Sequence, residues 1–85
     1  MEMYSTTNIT LAAFLLSSLP ASTFTVENQK NSFQKIIKLF YSETQQELIR
    51  TLVNDYLNKK AKVDLYSYGR KLNLLRDAIK EVDRG

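Results

Sequence analysis

The sequence predicts one small α+β domain spanning residues 1–85. Its expected order is an N-terminal helix, a β-hairpin, then two antiparallel helices. Three observations predict it. Between Ser42 and Val82 lie two helical patterns, Leu48, Ile49, Leu52, Val53, Tyr56, Leu57 and then Leu65, Tyr68, Leu72, Leu75, Ile79, Val82. Spacings of three and four put each set on one side of a helix. Ahead of them, Thr23-Phe24-Thr25-Val26 alternates in the period of a strand. Earlier still, residues 9–16 form an apolar run flanked by polar residues. The stretch 42–82 reads as the surface around which the other elements are arranged, with the hairpin packed on the final helix pair.

At 85 residues the chain is one domain, and a domain this small buries a modest fraction of its surface. Cysteine and histidine are absent, so disulfides and zinc sites cannot brace it. A hydrophobic share of 44% with 25% charged residues is that of a globular chain rather than a disordered one. The net charge of +3 points weakly toward an anionic partner. Its distribution says more. Glu2 is the sole charged residue before Glu27, so the charge lies in the last two thirds of the chain.

The first helix is expected over about 8–18. Ser5-Thr6-Thr7 offers hydroxyl N-caps, and Leu19-Pro20 ends it because the residue before proline leaves the α region. Apolar on most faces, it belongs inside a core. It is too short to span a bilayer. It also lacks the positive flank of a secretory signal, since residues 1–8 contain no Lys or Arg. A cytoplasmic protein without membrane contact is expected.

Strands are expected over about 22–27 and 33–41, joined by the polar residues 27–32. The second is ambiguous by period alone. Phe33, Ile36, Ile37 and Phe40 fit a helix, whereas Ile37, Leu39 and Tyr41 alternate. The strand is preferred for its β-branched and aromatic content, and because a helix start follows at once. That start, Ser42-Glu43-Thr44-Gln45, has the spacing of a capping box. The helix is expected over about 43–60, with Lys59 and Lys60 suiting its negative end. Asp64 is the expected N-cap of a last helix over about 65–82, with Val63 and Tyr68 placed for a hydrophobic staple. Gly69 inside it marks either a close backbone approach or a tolerated cost of about 1 kcal/mol.

Several of these pieces resemble a family of small proteins found in prokaryotic genomes and their phages. The opening Thr6-Thr7 followed by Leu11-Ala12-Ala13-Phe14-Leu15, the aromatic strand end Lys38-Leu39-Phe40-Tyr41, and the link Lys60-Ala61-Lys62-Val63-Asp64 carry the resemblance over nearly the whole chain. Asn8 stands where that family tends to have an acidic residue, and Leu65 where proline is common. The resemblance implies an α+β fold and a mobile-element setting. The family has no assigned activity, so it implies no catalytic residue.

Chemistry is hard to build from this inventory. Imidazole bases and thiolates are missing, and two glycines, Gly69 and Gly85, cannot make a phosphate-cradling loop. The carboxylate pairs Asp77 with Glu81 and Glu43 with Glu47 read as solvated helix faces. No enzyme, cofactor, metal or small-molecule substrate is expected. The candidate site is a basic surface of Lys59, Lys60, Lys62, Arg70, Lys71 and Arg76 with Tyr66 beside it. Basic side chains with an aromatic can hold a phosphate backbone and stack a base. The leading expectation is therefore a non-catalytic accessory protein that contacts nucleic acid there. The alternative is a protein-binding module, an inhibitor or subunit docking on a larger host or defence complex through its tyrosines or hairpin edge. Residues 65–82 could also form a homodimer seam, although packing within the chain explains their spacing without a partner.

Overall fold

The computed structural model describes residues 1–19, 21–29 and 34–84. Pro20, the polar residues 30–32 of the expected turn, the expected strand start at Phe33 and the chain end at Gly85 lie outside them. The elements are β1 (Glu2–Thr6), α1 (Ile9–Ser18), β2 (Thr23–Asn28), β3 (Lys35–Tyr41), a 3₁₀ turn (Glu43–Gln45), α2 (Gln46–Leu57) and α3 (Leu65–Arg84). The α+β class, the hairpin and the three helices follow the expected order. A first strand, β1, is added to them.

β3 is the middle of an antiparallel sheet ordered β1-β3-β2. Its alternation settles the ambiguity of the sequence, because Ile37, Leu39 and Tyr41 are all buried on one face. Register places Tyr4 and Phe24 on either side of Leu39, and Thr6 and Val26 on either side of Ile37. The inner face thus gathers its apolar residues in rows. The outer face carries Met3, Phe40 and Thr23 in one row and Ser5, Lys38 and Thr25 in the next. On that face Lys38 pairs with Glu27 at 2.8 Å.

α1 lies at the centre. Leu11 to Leu16 are buried without a break, as expected of a helix apolar on most faces. Its N-cap is Asn8 rather than a hydroxyl of residues 5–7. The Asn8 side chain accepts from the backbone N–H groups of Thr10 at 3.0 Å and Leu11 at 3.2 Å. Thr6 instead accepts from the Asn8 N–H at 3.0 Å, because residue 6 already belongs to β1.

The final helix pair does not form the expected unit. α3 packs on α1 and along β2, and α2 packs mainly on α1, so the two do not lie face to face. α1 supplies the cover that each amphipathic helix needs. Tyr68, Leu72 and Leu75 of α3 join the core, as do Ile49, Leu52, Val53 and Tyr56 of α2. Tyr56 ties α2 to α1 twice, through a hydroxyl hydrogen bond with Thr10 and by its ring against Phe14, centroids 5.9 Å apart. The far end of α3 is held to the sheet by Lys35 and Asp83, 2.6 Å apart.

Helix boundaries depart from expectation at both ends of α2. The expected capping box is not formed. Ser42 accepts from the Thr44 N–H at 3.3 Å and caps the 3₁₀ turn, while the Gln45 Oε1 is buried without a hydrogen-bond partner among the described residues. The helix then stops at Leu57, not near residue 60. Lys59 takes a left-handed φ of 59°, its N–H donates to the Tyr56 carbonyl at 3.1 Å, and the Lys60 N–H donates to Asp55 at 2.8 Å. These two bonds are the Schellman pattern that satisfies the last carbonyls of a helix.

Candidate functional site

The helix junction is the segment 58–64 between α2 and α3, with the helix ends on either side. The chain leaves α2 through the left-handed Lys59 and enters α3 at Asp64, whose carboxylate accepts from the Ser67 N–H at 2.9 Å. Those hydrogen bonds from Ser67 hold the Asp64 carboxyl below its ordinary value of 3.8. The expected N-cap is therefore in place. Val63, its expected staple, is exposed, while Tyr68 packs into the core.

The seven residues singled out in the sequence fall into separate groups. Lys59 borders an open groove shared with Tyr56, Leu57 and Ala61. Lys60 and Lys62 stand exposed on the connecting segment. On α3 the Arg70 guanidinium lies over the Tyr66 ring, 5.8 Å from its centroid. Arg70 and Lys71 border a shallow depression of about 240 Å³ with Leu16, Ser17, Ser67 and Leu74. Arg76 does not join them. Six residues beyond Arg70, it points about 120° away round a helix of 3.6 residues per turn, next to Asp77.

Charge is nonetheless concentrated here. Residues 57–71 carry five basic side chains and one acidic one, exceeding the whole chain's net +3. What the sequence did not disclose is the apolar content of the same surface. Leu57 is 68% exposed, Leu65 81% and Tyr66 73%, with Val63 also exposed. Leu57 and Leu65 belong by spacing to the two apolar stripes, but they are the last residue of α2 and the first of α3 and are left uncovered. No signal in a single sequence separates a stripe's covered residues from its overhanging ones.

No family model, curated protein or solved structure matches the chain. Chemistry at the junction must therefore be read from its own residues. Among the described residues no group of three or more acidic side chains is arranged to hold a metal ion, and no helix is long and apolar enough to cross a membrane. The arrangement offers lysines that can neutralise anionic groups, large apolar side chains that gain by burial, and a tyrosine already stacked on an arginine. It is equipped for contact.

Proposed function

We propose that the chain is a small non-catalytic binding protein that docks through the α2–α3 junction on a larger protein complex. One observation carries this reading. Of the eight large apolar side chains exposed among the described residues, four (Leu57, Val63, Leu65 and Tyr66) fall within ten residues, interleaved with Lys59, Lys60 and Lys62. Burying an exposed leucine is worth about 1.5–3 kcal/mol, a gain that a phosphate backbone cannot supply and an apolar recess can. Lysines around such anchors select an acidic rim and speed encounter more than they add affinity. The resemblance to proteins of prokaryotes and their phages implies a mobile-element setting, and in that setting we infer a host or defence complex as the partner.

Nucleic-acid contact is the second reading, favoured by the five cations of residues 57–71 and the Tyr66–Arg70 stack. The two readings differ in what abolishes binding. Tagged protein is used to capture partners from host lysate, with and without nuclease, at low and raised salt. Alongside the wild type run Leu57→Ser/Leu65→Ser and Lys59→Gln/Lys60→Gln/Lys62→Gln. Docking on a protein predicts a stoichiometric partner that survives nuclease and is lost with the leucines. Bound material that disappears with nuclease, falls steeply with salt and is lost with the lysines would replace the first reading by the second.

A further inference from the structure

We propose that β1 is a self-association edge, and that two copies of the chain pair β1 to β1 in antiparallel register about Tyr4. The sheet has two edges. α3 packs on β2, whereas β1 is an edge strand that among the described residues pairs with β3 alone. Its outer row of backbone N–H and C=O groups is thus a template for another strand. Natural edges are commonly blunted by lysine, proline, a bulge, short length or an inward-pointing charge. β1, Glu-Met-Tyr-Ser-Thr, is short and carries one charge, Glu2 at its first position, but has no lysine or proline and pairs with β3 residue for residue without a bulge.

The occupant follows from the strand's own sequence. Centred on Tyr4, antiparallel pairing engages all five residues of each strand. It sets Glu2 opposite Thr6 of the second copy and Met3 opposite Ser5, so no like charges face one another. Tyr4 meets Tyr4 on the inner face, where it already packs against the core, and cross-strand aromatic pairs are stabilising. The result is an isologous, closed dimer with a continuous six-stranded sheet. Its area is at the small end of stable interfaces, so it forms in the micromolar range or weaker. The helix junction is not used.

The register gives a direct test. Met3→Glu/Ser5→Glu opposes glutamates across the dimer at two symmetric positions, whereas Met3→Lys/Ser5→Glu opposes lysine to glutamate. In both variants Glu at position 5 faces Lys38 of β3, and the pair differs at residue 3 alone. Sedimentation equilibrium at up to about 1 mM is expected to show a concentration-dependent wild-type dimer. The double glutamate should weaken it roughly tenfold or more, and the lysine–glutamate pair should restore it. Mixing Met3→Cys with Ser5→Cys chains, in a protein without other cysteines, should under oxidation favour the mixed disulfide over either symmetric one. A wild type that stays monomeric throughout, or a dimer indifferent to the two charge patterns, overturns the proposal.

Discussion

Lys59 occupies the left-handed position that ends α2, a site where glycine is usual because a Cβ there costs roughly 1–2 kcal/mol. Gly69 is the converse. It lies inside α3, and a Cβ built on it meets nothing within 4 Å, so the close backbone approach considered from the sequence does not occur. Both exchanges are therefore expected to stabilise the fold. Lys59→Gly should gain about 0.5–1 kcal/mol by relieving the left-handed strain, and Gly69→Ala about 1 kcal/mol from helix propensity. Urea unfolding checks both, with an increased midpoint at unchanged slope. Asp64 makes a prediction about pH. Its folded carboxyl titrates below 3.8, so between that lowered value and 3.8 the unfolded chain binds more protons and stability rises with pH. The contribution is complete above 3.8 and is lost as pH falls through the folded value. Asp64→Asn keeps an acceptor for the Ser67 N–H but cannot titrate. Melting curves from about pH 2 to 7 should show wild type the more stable near neutrality, with the two converging at the acid end. Parallel curves would mean that the capping hydrogen bonds carry no charge-dependent part.

At the scale of elements the decisive difference is between residues enclosed by neighbouring elements and residues left exposed at helix ends. Leu15 has no exposed surface, while Leu65 is 81% exposed, although both are leucines on apolar helix faces. Leu15→Ala is expected to cost about 2–5 kcal/mol, a large part of the total stability of a domain this size. Leu65→Ala should stay within about 0.5 kcal/mol. Thermal denaturation of the two variants measures the contrast. The same difference explains what was legible beforehand. α1, the β2–β3 hairpin and the Asp64 cap were readable because their signals are local: a run, an alternation, a capping side chain. β1 was not, because Glu2-Met3-Tyr4-Ser5-Thr6 has little apolar alternation of its own and becomes a strand by pairing with β3, thirty and more residues later. α2 ends before its basic residues suggest, because the Lys59 and Lys60 backbone N–H groups already close the helix. At the candidate site the exposed lysines were legible as charge. The exposure of Leu57 and Leu65 was not, since it depends on tertiary packing around the helix ends.

For the molecule as a whole, α1 is the common neighbour: β1, β3, α2 and α3 all pack on it. α3 is additionally seated on β2 and tied to β3 through Lys35 and Asp83. α2 has less. Ile49 is its one buried residue, and Tyr56 makes its hydrogen bond and ring contact with α1 near the exit to the junction. Regions with few buried apolar contacts open locally, at free energies below that of global unfolding. Native-state hydrogen exchange should therefore sort the amides by element. Those of α1 and β3 should exchange only when the whole domain unfolds. Those of α2 and of residues 58–64 should exchange through a lower-energy opening that shares its denaturant dependence across the helix. Such an opening would let Leu57 and Lys59 rearrange against a partner without disturbing the sheet, so that the docking surface and the β1 edge are carried by parts of different stability. Equal protection of α2 and α1 would instead make the junction a rigid surface, whose leucines must fit their recess as they stand. The slowest amides decide between these, because α2 cannot open on its own if it reports the same free energy as the helix it leans on.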